Sequence, residues 1–365
     1  MEPPERVAEK TRMTSLPEID LALPYITRGI PGIGGKVKSK PEHFIVDEVP
    51  LYEPSGSGEH LYVNVTKTNM TTRDVQLGLA ELFELKPENI GKAGLKDRNA
   101  VTSQTFSVHL GSAGVTPDDA RRLIEDHVKV KVNWAKYHDN KLRAGHLKGN
   151  RFTVTITDLD VSRSPALETL EQVSGRLNSL GLPNYYGEQR TGAEGENIRS
   201  GWEILQGRKR IRDRWLSRFL VSSYQSHFCN RYMAERVKRG LFGRLLLGDV
   251  AKKHDTGGLF WVEDASEQSR YEAREISFTA PMYGYKMLRP RGEAAALEDE
   301  VLGWSGITEE QLRRCHVKGT RRMGRIFPDV SYSEVPEGFK LVFTLPMGGY
   351  ATVALREFMK NDDAC

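Results

Sequence analysis

The segments His43-Phe-Ile-Val-Asp-Glu48 and Leu61-Tyr-Val-Asn-Val65 carry the period-two pattern of β-strands, on either side of a turn at Pro54-Ser-Gly-Ser-Gly58. A helix is predicted next, from a capping residue at Thr71 up to Pro87, which ends it. Short strands therefore mix with helices, without the strict alternation of a doubly wound parallel sheet. This pattern predicts an α+β fold.

The period of two that is typical of strands and the period of 3.6 that is typical of helices both recur along the chain. Strands are predicted at residues 104–110, 128–137, 152–156 and 341–345, and helices at 117–123, 164–180 and 213–237. The segment 350–357 fits either a strand or a helix. The first 20 residues are polar, contain prolines and lack a period, which is typical of a loosely held tail.

Length and composition exclude several classes of protein. The 365 residues predict about two domains. No apolar run approaches the roughly 20 residues of a membrane span, and the first residues lack the apolar core of a signal peptide, so we expect a cytoplasmic protein without membrane contacts. Three distant cysteines and nine scattered histidines predict neither a disulfide framework nor a metal site.

The net charge of +4 hides a strong local excess of positive charge. Residues 199–244 contain twelve basic and three acidic residues, and residues 313–325 contain six basic residues and no acid. Such clusters are typical of proteins that bind a polyanion, with phosphate contacts expected from Arg208, Arg210, Arg321 and Arg322. Solvated helix faces are the alternative interpretation.

The stretch Gly94-Leu-Lys-Asp-Arg98 places one carboxylate between two cations after a glycine turn. Both cations favour the ionised form of Asp97, which a nucleophile or a proton-abstracting base requires. Spacing alone leaves a solvated turn as the alternative. The chain has neither a P-loop nor a dinucleotide fingerprint, so no nucleotide cofactor is predicted.

Two other stretches combine aromatic, amide and cationic side chains. They are Lys148-Gly-Asn-Arg-Phe152 and Pro183-Asn-Tyr-Tyr-Gly-Glu-Gln-Arg190. Amides can hydrogen-bond base edges, and aromatic rings and arginine planes stack on unpaired bases. For Tyr185 and Tyr186, packing in the core is the alternative.

These segments together resemble the TruD family of tRNA pseudouridine synthases. Six matching segments follow the family's order: Lys38-Ser-Lys-Pro-Glu-His-Phe44 with Asp47-Glu48; Pro54-Ser-Gly-Ser-Gly-Glu-His60; Ala93-Gly-Leu-Lys-Asp-Arg98 with Ala100-Val-Thr-Ser-Gln104; Leu147-Lys-Gly-Asn-Arg-Phe152; Pro183-Asn-Tyr-Tyr-Gly-Glu-Gln-Arg190; and Leu345-Pro-Met-Gly-Gly-Tyr-Ala-Thr352 with Leu355-Arg-Glu357.

The resemblance implies catalytic roles for residues of two segments. Asp97 stands where the family has its catalytic aspartate. Lys38 occupies the place of a basic residue that pairs with that aspartate. Arg98 joins Lys38 as a candidate for keeping Asp97 ionised and oriented, in contact with the substrate.

The resemblance also implies a uracil pocket. Phe44 and Phe152 match aromatic residues that line it, and Asn150 matches a substrate-binding asparagine. Tyr350 falls where many relatives have a phenylalanine against the target base, so this chain keeps the ring and adds a hydroxyl group.

The fold that the resemblance implies is a pseudouridine-synthase catalytic domain with a mixed, mainly antiparallel sheet, interrupted by a large α/β insertion. We place the catalytic domain at residues 1–186 and 338–365 and the insertion at 187–337, with the insertion's arginines forming one wall of a basic cleft.

The implied reaction is the isomerisation of a flipped-out uridine, at position 13 of tRNA in this family, without a cofactor. Asp97 would act as a nucleophile or as a base toward the ribose, and tRNA would be the partner of a chain expected to be a monomer. Two alternatives remain open. One is a non-catalytic RNA-binding or RNA-folding protein on the same scaffold. The other is a nucleoside hydrolase, which needs a second carboxylate such as Glu188 or Glu357.

Overall fold

The computed structural model describes residues 16–111 and 114–361. These residues divide into two compact units. The sheet unit comprises residues 26–182 and 326–361, and the inserted unit comprises residues 16–25 and 183–325. The predicted insertion, 187–337, differs most at its end, since residues 326–337 belong to the sheet unit. Most of the predicted N-terminal tail, residues 1–15, lies outside the described residues.

The elements are numbered in chain order. The strands are β1 (Phe44–Pro50), β2 (His60–Thr68), β3 (Gly91–Lys92), β4 (Val101–His109), β5 (Lys131–His138), β6 (Leu147–Thr157), β7 (Leu182–Pro183), β8 (Val250–Lys253), β9 (Leu259–Trp261), β10 (Ile276–Met282), β11 (Thr320–Met323), β12 (Arg325–Ile326), β13 (Ser331–Val335) and β14 (Gly338–Pro346). The α-helices are α1 (Thr72–Leu82), α2 (Pro117–Val128), α3 (Arg163–Leu180), α4 (Glu188–Thr191), α5 (Glu196–Leu205), α6 (Arg214–Lys238), α7 (Glu267–Glu272), α8 (Gly292–Ser305), α9 (Glu309–Arg314) and α10 (Ala351–Met359).

The sheet unit is built on one eight-stranded sheet. Its strand order is β13-β14-β6-β1-β4-β2-β5, and β3 also pairs with β4. β1 runs parallel to β4, and the other pairs are antiparallel. β1 and β2, which flank the turn at residues 54–58, are not neighbours, because β4 lies between them. The predicted α+β class and the mixed, mainly antiparallel sheet are confirmed.

Helices α1 and α2 cover one end of the sheet's apolar face. Val63 and Val65 of β2 point to this face and are fully buried against both helices. Each such side chain contributes about 1.5–3 kcal/mol on leaving water. A capping box between Thr71 and Asp74 starts α1, as the sequence predicts. The packed helices fix the N-terminus of α1 close to the loop that carries Asp97.

The C-terminal end of the chain completes the sheet unit. β14 pairs with β6, and residues 351–359 form helix α10, which settles the open choice for that segment. Glu357 on α10 is buried, and its carboxylate accepts hydrogen bonds from the backbone N–H groups of Ile26 at 3.2 Å and Thr27 at 3.1 Å. The Glu357 carboxylate therefore fixes the first residues of the sheet unit and is engaged in these hydrogen bonds.

The 25-residue helix α6 is the longest element of the inserted unit. Asp213 caps its first turn, and β11, β10, β8 and β9 form a second sheet. Arg236 of α6 and Asp249 form a buried ion pair at 2.8 Å. Within residues 16–111 and 114–361, no helix is long and apolar enough to cross a membrane, and no cluster of three or more His, Cys, Asp or Glu side chains is arranged to hold a metal ion.

Candidate active site

Asp97 lies on an exposed loop between β3 and β4. Four polar contacts with buried side chains, here called anchors, hold this loop in place. Each anchor uses a polar group whose burial without a partner would cost free energy. Gln104 donates to the Gly94 carbonyl at 2.6 Å, and the Lys96 backbone N–H donates to Thr72 Oγ1 at 2.9 Å. Since Thr72 also donates to Gln104 at 3.0 Å, two of the anchors are linked to each other. The result is a fixed backbone with its carboxylate in solvent.

The third anchor is an ion pair between Lys96 and Glu48 of β1. The Lys96 Nζ–Glu48 Oε2 distance is 2.9 Å, and both side chains are buried. Glu48 also accepts a hydrogen bond from the Thr105 backbone at 3.2 Å. A buried and hydrogen-bonded ion pair of this kind favours one geometry. Lys96 is thereby turned away from solvent while its neighbour Asp97 stays exposed.

The fourth anchor is Lys67, which is not among the predicted site residues. Its side chain is 2% exposed, and its Nζ donates to the carbonyl of Asp97 at 2.9 Å and to that of Met70 at 2.6 Å. Burial lowers the pKa of Lys67 to about 8, against the opposing charge of the Asp97 carboxylate. The pattern of β2 carries a signal for this, because Lys67 shares the alternation of the buried Val63 and Val65.

Lys38 pairs with the Asp97 carboxylate. Its Nζ lies 3.3 Å from Asp97 Oδ2 and 4.4 Å from the centre of the Phe44 ring. Lys38 adopts a left-handed backbone conformation with φ at 62°, which is uncommon for residues other than glycine. The Asp97 side chain is 56% exposed, so the carboxylate is oriented by Lys38 and accessible to a substrate.

The predicted pocket residues Phe44, Asn150 and Phe152 lie on neighbouring strands of one sheet face. Phe44 and Phe152 contact edge to face at 6.1 Å, and both are buried, so Phe44 supports Lys38 more than it offers a free ring face. Within the described ranges, the buried Oδ1 of Asn150 has no hydrogen-bond partner. A buried acceptor of this kind can take a hydrogen bond from a bound donor, and the substrate contact expected of Asn150 stays a prediction.

Tyr350 and Arg98 are placed by the elements beside them. Tyr350 is the half-buried N-cap residue of α10, four residues after Pro346 of β14. Pro346 of β14 pairs with Gly149, the neighbour of Asn150 on β6. Tyr350 therefore comes shortly after the end of β14 that pairs beside Asn150. Arg98 is exposed beside Asp97. The substrate contacts expected of both residues stay predictions.

The segment 183–190 belongs to the inserted unit, where much of it packs inward. Tyr185 is 1% exposed, so the core interpretation is right for this residue. The Tyr186 backbone exchanges two hydrogen bonds with the side chain of Asn230, at 2.8 and 2.9 Å. The guanidinium of Arg190 lies over the Phe219 ring at 4.9 Å. This segment therefore joins the helices of its own unit.

The structure contradicts one of the four predicted phosphate contacts, that of Arg321, and places a second arginine, Arg322, in a half-buried position. Arg321 is buried and pairs with Glu298 at 2.7 Å while donating to Thr279 at 2.8 Å, so its predicted contact with RNA is wrong. Arg322 is half-buried. It donates to Asn184 O at 2.7 Å and lies 3.9 Å from the centre of the Tyr186 ring, so the structure gives no support for the expected phosphate contact.

Arg208 and Arg210 are exposed, as a phosphate contact requires. The Arg208 guanidinium lies 4.7 Å from the centre of the Trp202 ring, and Arg210 follows in the loop before α6. Their predicted contacts with RNA remain predictions. The sequence pattern could not separate these two arginines from Arg321, because the burial of Arg321 depends on α8, which carries Glu298.

Replacement of Lys67 by methionine should loosen the Asp97 loop. The backbone carbonyls of Met70 and Asp97 lose their donor, and we expect a loss of about 2–4 kcal/mol in the free energy of unfolding. Turnover should fall by about 100-fold, since a shift of about 1 Å at a catalytic group has that effect. Denaturant unfolding and turnover assays measure both, with Lys36→Met as the control on an exposed lysine of the same unit.

The difference in stability between the wild type and Lys67→Met should depend on pH. In the unfolded chain Lys67 has its ordinary pKa near 10.5, so between about pH 8 and 10.5 the unfolded state binds more protons than the folded state. The stability of the wild-type chain relative to Lys67→Met should therefore rise with pH across this window. A flat difference would contradict the lowered pKa.

Comparisons with known proteins point to one family. The family model described as tRNA pseudouridine synthase D matches residues 20–211 and 209–358. A tRNA pseudouridine synthase D of Thermus thermophilus is 44% identical over 92% of each chain, and one of Anaeromyxobacter dehalogenans is 40% identical over 93% of this chain and 97% of its own.

A solved structure shares the fold. The crystal structure of a Methanosarcina mazei protein described as a putative tRNA pseudouridine synthase D superimposes with a TM-score of 0.75, at 22% identity, over 93% of this chain and 96% of its own. The family model and the curated relatives both span most of the sequence, including the Asp97 loop. The chain therefore belongs to the tRNA pseudouridine synthase D family.

Proposed function

We propose that this protein converts a uridine of tRNA, the one at position 13, to pseudouridine, with Asp97 as its catalytic residue. The observation that carries the proposal is the accessible carboxylate of Asp97, paired with Lys38 at 3.3 Å and mounted on a loop with four buried anchors. A surface turn without a function would not need anchors of this kind.

The reaction breaks the N1–C1′ bond of the nucleotide, turns the uracil and forms a C5–C1′ bond. As a nucleophile, the Asp97 carboxylate attacks C1′ while N1 leaves with the bond electrons, and C5 later displaces the carboxylate. As a base, Asp97 removes the C2′ proton, and that proton returns once the C5 bond has formed. In both routes C5 loses its proton and N1 gains one, so the reaction needs no oxidant or reductant.

Asn150 and Tyr350 supply the contacts that the detached base requires. The buried Oδ1 of Asn150 can accept a hydrogen bond from the uracil N3–H group. The ring of Tyr350 at the start of α10 can stack on the base, which offsets part of the few kcal/mol needed to flip a nucleotide out of its helix. Arg98, exposed beside Asp97, is available to the adjacent phosphate.

Exposed arginines of the inserted unit would bind the tRNA backbone. Arg208 and Arg210 are the residues of the predicted set that remain available for this role. Phosphate contacts position an RNA without reading its sequence, so the choice of one uridine must come from the shape of the tRNA. A monomeric state and a cytoplasmic location complete the proposal.

The test is a conversion assay on unmodified tRNA transcripts with the purified chain and no added cofactor. We expect pseudouridine at position 13, located by chemical mapping, in tRNAs that carry a uridine there. Free uracil would instead identify a nucleoside hydrolase, and unchanged RNA would favour a non-catalytic RNA-binding protein. The hydrolase already lacks one candidate, since Glu357 is occupied by the backbone of Ile26 and Thr27.

A further inference from the structure

The segment 208–218 of the inserted unit exposes a large aromatic ring among cations. It contains one acid, Asp213, and six basic residues: Arg208, Lys209, Arg210, Arg212, Arg214 and Arg218. Trp215 lies on the first turn of α6 and is 70% exposed. Asp213 is used as the helix cap, because its Oδ1 accepts the backbone N–H of Trp215 at 2.7 Å and of Leu216 at 3.0 Å.

Trp215 is backed by a stack that holds it in place. Its ring stacks on Phe219 at 5.5 Å with an angle of 10° between the planes. The Arg190 guanidinium lies 4.9 Å from the centre of the Phe219 ring and is hydrogen-bonded to Ser222 and Ser226 of the same helix. The exposed ring is therefore pre-organised, and a ligand that stacks on it loses little free energy in ordering it.

A groove of about 700 Å³ lies on the adjacent face of α6. Arg214 and Arg218 line it from the helix, one turn apart, and Lys318 lines it from the segment after α9. The helical spacing places Trp215 and Phe219 about one residue step further around the helix than these two arginines. An aromatic ring and a row of cations therefore run side by side along one helix.

We propose that this surface binds an unpaired nucleotide of tRNA, with the base stacked on Trp215 and the neighbouring phosphates held by Arg214, Arg218 and Lys318. The charge of segment 208–218 favours this partner, because six basic residues against one acid attract a polyanion and repel a basic peptide. Single-stranded nucleic acids are bound in this way, by aromatic stacking beside a cationic track. The inference rests on the proposed function, because it names a second contact of the same substrate.

The experiment uses the full chain and two probes, an oligouridine and an RNA duplex without unpaired bases. Oligouridine should quench the tryptophan fluorescence of the wild-type protein, and this quenching should disappear in Trp215→Phe but persist in Trp304→Phe. Trp304 is the matched control, since it is also exposed on the inserted unit but lies on the acid-rich helix α8. The duplex should cause little quenching.

Binding of tRNA gives the second readout. Trp215→Ala should weaken it about tenfold, and Trp215→Phe should restore most of the affinity, because stacking needs a ring. Equal affinities of Trp215→Ala and the wild type would overturn the inference, and so would quenching that survives in Trp215→Phe. If the wild type binds oligouridine at Trp215 but leaves tRNA unmodified, the proposed function fails while the nucleotide site stands.

Discussion

Replacement of Asp97 by asparagine is expected to lower the rate of pseudouridine formation by about four orders of magnitude or more, as losses of a catalytic nucleophile do. The amide has the size of the carboxylate but can neither attack C1′ nor take a proton. The loop should keep its shape, because Lys67 binds the backbone carbonyl of Asp97, and the other anchors use Gly94 and Lys96.

Single-turnover conversion with saturating tRNA measures this loss, together with tRNA affinity, which should change little. Asp158→Asn is the matched control, since Asp158 is an exposed aspartate that pairs with a lysine, Lys36, at 3.8 Å in the same unit. Its conversion rate should equal that of the wild type. If Asp97→Asn retained a tenth of the wild-type rate or more, the assignment of Asp97 as the catalytic residue would be wrong.

Arg321→Ala is expected to destabilise the inserted unit by about 3–5 kcal/mol, the cost of leaving a buried charge without its partner. Burial already raises the pKa of the Glu298 carboxyl, and Arg321 opposes that rise. Tryptophan fluorescence during urea unfolding reports on this unit, which contains four of the five tryptophans. The double substitution Arg321→Met with Glu298→Leu removes both charges and should recover most of the loss.

The salt dependence of tRNA binding separates Arg321 from the exposed arginines. Substitution of Arg208 or Arg210 by alanine should reduce the slope of log affinity against log salt by about one, with stability unchanged. The double variant at Arg321 and Glu298 should keep the wild-type slope. A slope lowered by one in that variant would return Arg321 to the RNA surface and contradict its role in the core.

Local pattern was sufficient for much of the fold. Strand alternation placed β2, and an uninterrupted amphipathic period placed α6 with an error of one residue at each end. Patterns did not give the order of the strands, since no local feature shows that β4 separates β1 from β2. The helix at 351–359 was also beyond local pattern, because its side chains fit either periodicity and its packing against α3 is not visible in the local sequence.

In the active site, too, local pattern predicts some features, and others depend on the tertiary fold. Asp97 and Lys38 could be named together only through the family resemblance, because 59 residues separate them. The burial of Lys67 follows from the alternation of β2. Its hydrogen bond to the Asp97 carbonyl depends on the position of the loop before β4, which the pattern of β2 does not show. For Arg321 the prediction was wrong in the other direction. The run of basic residues at 313–325 predicts an exposed surface, but α8 buries Arg321 beside Glu298.

The pairing of β14 with β6 has a consequence for how a ribosome delivers this chain. The edge of β6 that β14 covers is made when residue 157 emerges, but its partner begins at residue 338, 181 residues later. At about 5–20 residues per second this interval lasts roughly 10–40 s, during which β6 presents an open edge. Most of the inserted unit is synthesised within that interval, so it can fold while the sheet that carries Asp97 still waits for its last strand.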